Sequence, residues 1–197
     1  MIKINKVDSN NPDLTVLKEG GRILKEGGVV VFPTETVYGI GANSKIESAI
    51  DRIYKIKNRP KDKPFSYHLH SLEFFYDFAG KGIDEKQKKW FNKLIPNPVT
   101  LVYYDTLLKT KIGVRFPENK VAKLLLKEAS CPVVATSANF SGEISPESVD
   151  VMDEKFLTCV DFIIDSGKTE NKTDSTVIDI SGVKPIILRQ GAYKLCD

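Results

Sequence analysis

Two hydrophobic periods, one of about 2 and one of about 3.6 residues, divide the chain into strands and helices. Uncharged β-branched and aromatic residues at 29–32 mark a buried strand, which Pro33 stops. Ahead of it, Asn11-Pro12-Asp13 predicts a helix start, with Leu14, Leu17, Ile23 and Leu24 on its apolar face. Gly20-Gly21 weakens that helix in its middle and Gly27-Gly28 ends it. After the strand, Thr34, Glu35 and Thr36 lead into a loop containing Gly39 and Gly41, and Ser44 with Glu47 spells a capping box. Ile46, Ala49, Ile50, Ile53 and Ile56 then trace one face of a helix over 45–57, which Pro60 terminates.

Further strands are predicted at 65–69, 100–104, 112–116, 132–136, 162–165, 176–180 and 186–189. Helices are predicted at 72–78, 84–94, 120–129 and 145–157. The helix at 84–94 should bury Trp90, Phe91 and Leu94, and the short polar stretch between 104 and 112 suits a hairpin. Strands and helices interleave without strict alternation, so the fold class is α/β with a mixed sheet. With no internal repeat, low-complexity tract or linker, residues 1–197 read as a single domain.

Polar residues collect where strands end. Thr34, Glu35 and Thr36 follow the first buried strand, where open α/β sheets bind ligands, although a tight βα turn accounts for the same glycines. Residues 135–142, ATSANFSG, repeat the pattern with Thr136, Ser137, Asn139 and Ser141. These small groups suit ribose, base or phosphate, and they are also turn formers. Lys55, Lys57, Arg59, Lys61 and Lys63 recur at every second residue, a basic row of the kind that recognises phosphate. Lys57 and Arg59, nearest the helix end, are the stronger candidates, while Lys55 and Lys61 suit a solvated helix terminus.

Arg115 is the single charge in IGVRF, and Arg189 closes IILR. Each is an anion clamp if its strand borders a cleft, and a solvent-facing residue otherwise. His68 and His70 would share one strand face, but two histidines without further ligands assign no metal site. Asp174-Ser175-Thr176 reads as a simple turn. There is no H-E-x-x-H, G-x-S-x-G or Walker A motif, and no nucleophile–base pair can be picked out. Any catalysis would therefore rest on positioning and charge neutralisation, as in nucleotidyl transfer.

Composition adds little except in its distribution. A chain 41% hydrophobic and 28% charged is neither disordered nor membrane-like. The net charge of +3 divides unevenly: residues 1–139 carry 23 Lys/Arg against 15 Asp/Glu, and residues 140–197 carry 6 against 11. The basic part admits nucleotides or RNA as partners. No stretch approaches the roughly 20 apolar residues of a membrane span, and the N-terminus lacks a signal-peptide core. Cys131, Cys159 and Cys196 are odd in number and form no C-x-x-C, which suits reduced thiols in a cytoplasm.

Seven motifs run in order: FPTETVYGIGAN at 32–43, KNRPKDKPF at 57–65, PNPVTLVYY at 96–104, IGVRFP at 112–117, PVVATSANFSG at 132–142, DSTVID at 174–179 and LRQGA at 188–192. Together they resemble the YrdC family of threonylcarbamoyl-AMP synthases, over nearly the whole chain. The resemblance implies an open, twisted α/β sheet of mixed parallel and antiparallel strands flanked by helices, in the short single-domain form. It implies that ATP, L-threonine and bicarbonate give threonylcarbamoyl-AMP and pyrophosphate, with Mg²⁺ accompanying ATP. The product would pass to transfer proteins that modify tRNA. The family's K-x-R and S-x-N tetrad falls on Lys57, Arg59, Ser137 and Asn139, which with Arg189 are expected around ATP, Lys57 and Arg59 carrying the chemistry. Thr34, His68, Arg115 and Ser175 match positions lining the threonine pocket. The chain departs from the family pattern at Asn97, Lys63 and Phe65-Ser66-Tyr67. An RNA-binding module, gripping tRNA or double-stranded RNA in the same basic cleft without chemistry, is the alternative reading.

Overall fold

A computed structural model describes residues 3–79 and 82–195, which leaves Cys196 outside the described residues. Ten strands form one sheet in the order β1-β8-β2-β3-β7-β4-β6-β5-β9-β10. In chain order they are β1 Ile4–Lys6, β2 Val30–Phe32, β3 Gly39–Asn43, β4 Ser66–His68, β5 Val99–Asp105, β6 Thr110–Arg115, β7 Val133–Ser137, β8 Phe162–Asp165, β9 Thr176–Asp179 and β10 Ile186–Arg189. The helices are α1 Leu14–Lys25, α2 Glu47–Lys57, α3 Leu72–Ala79, α4 Glu85–Leu94, α5 Lys120–Ala129 and α6 Glu154–Leu157. The expected mixed sheet is present: β4 runs parallel to β6 and antiparallel to β7, and β5 runs antiparallel to β6 as a hairpin.

Several expectations change. The glycine-rich segment after residue 38 is a strand, not a loop, because β3 pairs antiparallel with β2 and with β7. Glycine serves there because the Phe32 ring lies across it. A Cβ on Gly41 would fall 2.9 Å from Val133 Cγ1 and 3.0 Å from Phe32 Cε1. The capping box of Ser44 and Glu47 does not form: Ile46 caps α2 without a side-chain bond, and Asn43 Oδ1 accepts from the Lys45 N–H instead. The helix expected over 145–157 is broken into a 3₁₀ turn at Val149–Val151 and the one-turn α6, because Met152 is extended and Asp153 caps a new start. Strand β1, only three residues long, gave no periodic signal. In α4, Phe91 and Leu94 are buried as expected, whereas Trp90 is half-buried with Lys93 over its ring.

The register fixes which residues share a face. Val30, Phe32, Val133, Ala135, Phe162 and Ile164 point to one face, where α1 and α5 cover them through Leu17, Leu24, Val121 and Leu125. On the other face α2 packs Ala49 and Ile53 on Val31, Ile40 and Val134. Farther along that face α3 and α4 pack Phe75, Phe91 and Leu94 on Leu101, Tyr103 and Ile178. The α1–α5 layer ends at β7. Across β4, β6, β5, β9 and β10 no described helix covers the first face, and there the sheet forms the floor of a cleft.

Candidate active site

The cleft encloses about 340 Å³. Strand alternation fills its floor: Lys111, Gly113 and Arg115 from β6, Thr100 and Val102 from β5, and Ser66 and His68 from β4 all project the same way. Gly113 keeps that floor low between its neighbours, for a Cβ there would stand 3.3 Å from Ser66 Cβ. Ser175, Asp174 and Arg189 form one wall, and Thr34, Ser137 and Arg59 form the opposite side.

Residues 33–38 link β2 to β3 as a tight hairpin loop rather than a strand-to-helix turn. Its geometry is set from within by Thr34, whose Oγ1 donates to the Val37 carbonyl at 2.6 Å and accepts from the Val37 N–H at 3.3 Å. Arg115 clamps the loop from β6. Its Nη2 donates to Glu35 Oε1 at 2.8 Å and to Thr34 Oγ1 at 3.3 Å, and also to Thr36 Oγ1. The other Glu35 oxygen accepts from the Glu118 N–H at 3.0 Å. Arg115 and Glu35 are both nearly excluded from solvent, so neither charge is screened by water. Arg115 Nε is buried and has no acceptor, an unmet donor beside the cleft.

His68 sits next to this guanidinium. Burial, then the Arg115 charge, push its pKa down to about 3, so the ring is neutral. Its Nδ1 lies 3.3 Å from the Ser66 carbonyl, which as an acceptor calls for the proton on Nδ1 and leaves Nε2 as an acceptor. On the opposite wall Ser175 Oγ and Thr100 Oγ1 share a 2.8 Å hydrogen bond, and Arg189 Nη2 donates to the Ser175 carbonyl at 2.9 Å.

The basic row expected from Lys55 to Lys63 does not exist as one face. The segment is not extended: α2 runs to Lys57, and Asn58 turns left-handed at φ 49°. Lys61 pairs with Asp51 at the surface. Lys57 turns inward and lies beneath the 137–143 loop, where Nζ donates to the Ser137 carbonyl at 2.5 Å, the Asn139 carbonyl at 2.7 Å and Asn139 Oδ1 at 3.0 Å. Ser137 Oγ donates to the same Oδ1 at 2.6 Å, and Asn139 Nδ2 donates to the Glu143 carbonyl at 2.6 Å. Burial, with the Arg59 charge adding to it, lowers the Lys57 pKa to about 8.

Of the residues singled out in the sequence, Thr34, Arg59, His68, Arg115, Ser137, Ser175 and Arg189 line the cleft, and Lys57 and Asn139 support the loop that bears Ser137. His70 lies past the end of β4 against Phe74 and takes no part. Lys111, Gly113, Thr100 and Asp174 also line the cleft. The alternation 111, 113, 115 was readable once Arg115 was assigned to the cleft face, but Thr100 carries no signal of its own. Four cations face this space, and three have carboxylate partners: Arg115 with Glu35, Lys111 with Asp179 and Arg189 with Asp174. Among the described residues Arg59 has none. No group of three or more metal-binding side chains occurs among the described residues, and no described helix is long and apolar enough to cross a membrane.

A family model named for Sua5, YciO and YrdC, and described as "Telomere recombination", matches residues 22–191. The chain is 37% identical over 180 residues to the threonylcarbamoyl-AMP synthase of Pyrococcus abyssi, covering 87% of this chain and 53% of that protein. It is 32% identical over 197 residues to the threonylcarbamoyl-AMP synthase of Bacillus subtilis, covering 95% of this chain and 56% of that protein. The chain thus spans about half the length of these two relatives. The crystal structure of P. abyssi Sua5 complexed with L-threonine superimposes with a TM-score of 0.87 at 34% identity, over 96% of this chain and 57% of that one.

Proposed function

The chain belongs to the Sua5/YciO/YrdC family, and on that premise we propose that it is a threonylcarbamoyl-AMP synthase. The amine of L-threonine adds to the carbon of bicarbonate and water leaves, giving an N-carboxylate. One oxygen of that carboxylate attacks the α-phosphorus of ATP, the bond to the bridging oxygen breaks, and pyrophosphate departs. The nucleotidyl product would then serve tRNA modification, in a cytoplasmic setting that suits the free Cys131 and Cys159 thiols.

The main support is Arg115. A buried guanidinium held by one η-nitrogen, with an unmet Nε beside a hydroxyl-lined cleft, suits an amino-acid carboxylate. Thr34, Ser175 and the neutral His68 surround it with small donors and acceptors for the rest of threonine. Arg59 and Arg189, with Ser137, would hold the nucleotide, Arg59 bringing the cation that lacks a carboxylate partner among the described residues. Lys57 acts from below, keeping the loop of Ser137 and Asn139 in shape. Mg²⁺ bound to nucleotide needs few protein ligands, and Asp174, on the cleft wall and partly exposed, is the carboxylate that could meet it. When bound it would neutralise phosphate charge and orient the triphosphate.

Pyrophosphate release from MgATP and bicarbonate, measured with L-threonine, with L-serine and with no amino acid, tests this reading. Release that depends on L-threonine is expected. No release in any mixture by folded protein would overturn it, and RNA affinity falling steeply with salt would then support the binding-module reading.

A further inference from the structure

Arg59 is the cation of the cleft without a carboxylate partner among the described residues, and it stands on a segment with little else to hold it. Residues 58, 60, 61, 62, 63 and 64 are exposed. A long side chain leaving such a loop would sample many rotamers, and binding would have to order it. The structure instead holds it from three sides, and all three lead to Tyr54.

The backbone comes first. Asn58 is left-handed, so the Arg59 N–H reaches back to the Tyr54 carbonyl at 3.0 Å, closing the end of α2. The guanidinium comes second: Arg59 Nε donates to the Lys63 carbonyl at 3.0 Å, and the Tyr54 hydroxyl donates to the same oxygen at 3.3 Å. The face comes third. Arg59 Cζ lies 5.4 Å from the Phe65 ring centroid, and the Tyr54 ring stacks on Phe65 with centroids 4.2 Å apart and planes at 28°. Phe65 is buried and Tyr54 packs on the core formed with Ile53 and Ile56, so the stack is rooted in the folded protein. The η-nitrogens of Arg59 make no hydrogen bond to the described residues and remain for a ligand.

We propose that Tyr54 is a positioning residue: through Phe65 it fixes the plane of the Arg59 guanidinium so that its free nitrogens meet the phosphates of the nucleotide. This rests on the nucleotide reading above and goes beyond it, since Tyr54 lies outside the cleft lining. The ring is the essential feature, and the hydroxyl is secondary because Nε alone already holds the Lys63 carbonyl.

Two variants separate the ring from bulk. Tyr54→Leu keeps an apolar side chain against the core but offers no aromatic face, and Tyr54→Phe keeps the face. Calorimetric titration with MgATP and, separately, L-threonine should show MgATP weakened several-fold to about tenfold in Tyr54→Leu, with L-threonine unchanged and Tyr54→Phe within about twofold of wild type. Equal MgATP affinity in Tyr54→Leu, equal weakening by both substitutions, or parallel loss of both ligands would each overturn the proposal. The Arg59 Nε–H resonance of the free protein is read alongside. Slow exchange with water in wild type and Tyr54→Phe, and fast exchange in Tyr54→Leu, is expected. This second readout needs no nucleotide: a wild-type protein that ignores MgATP would sink the functional reading, while the exchange rates would still decide whether Tyr54 orders Arg59.

Discussion

Arg115 and Glu35 form a buried ion pair whose value lies in geometry more than in strength. Taking two charges out of water costs several kcal/mol per ion in round terms, and their attraction returns that only when the remaining donors and acceptors are met. Glu35 meets this condition with both oxygens, through Arg115 Nη2 and the Glu118 N–H, whereas Arg115 leaves Nε unmet. Burial, with the same charge adding to it, governs His68. An unfolded histidine binds a proton near 6.5, and folded His68 resists protonation until about 3. The unfolded state therefore binds more protons between these values, so the stability that His68 contributes is complete above 6.5 and is lost as pH falls towards 3. Its ring resonances should show no inflection between about pH 5 and pH 8, the range where an ordinary histidine titrates. In urea unfolding, wild type should lose stability on acidification faster than His68→Gln. A ring titrating near 6.5 would mean that the site is open to water and that its hydrogen bonds are not those described.

At the scale of elements, sequence pattern located most helices and strands because one period dominated each of them. It failed where tertiary packing overrode local signals. Gly39 and Gly41 look like loop glycines until the ring of Phe32 is seen lying over them. Lys55 to Lys63 look like a basic row running into an extended segment until the left-handed Asn58 turns the chain. Ile4–Lys6 is too short for a period of two to register, and it is fixed by its partner β8. Gly20-Gly21 shows the reverse case, in which the helix was found but the reason for its glycines was not. They lie where α1 crosses α5, and a Cβ on Gly21 would stand 2.7 Å from the Glu128 carbonyl carbon and 2.8 Å from the Ala129 nitrogen. Propensity favours alanine there by about 1 kcal/mol. Backbone atoms cannot give way as a side chain does, and overpacking costs about 1–3 kcal/mol. Gly21→Ala should therefore lower stability by about 1–2 kcal/mol in urea unfolding, where propensity alone forecasts a gain. A stabilised variant would show that α1 can shift away from α5 without loss.

For the whole molecule, the decisive feature is a sheet whose inner strands are covered by helices along one face and only halfway along the other. The sequence motifs named most of the residues that line the uncovered half, because polar groups stood out at strand ends. They did not give the strand order that brings β4, β6, β5 and β9 side by side, since no local pattern encodes which distant strands pair. That order also leaves a folded state with an unfinished site: among the described residues Arg59 has no carboxylate partner and Arg115 has an unmet donor. A ligand that supplies the missing acceptors should stabilise the protein by linkage, about 2.7 kcal/mol at a concentration 100 times its dissociation constant. For a chain of this size that is a rise in melting temperature of roughly 5–10 °C. MgATP and L-threonine should each raise the melting temperature, and because the sites proposed for them adjoin in one cleft the two together should exceed either alone. L-serine, which lacks the methyl group, should raise it less. Arg115→Ala should remove the L-threonine shift and keep most of that from MgATP. If RNA at low salt stabilises the protein while L-threonine does nothing, the cleft is a surface for phosphates, and the pocket around Arg115 has no amino-acid ligand.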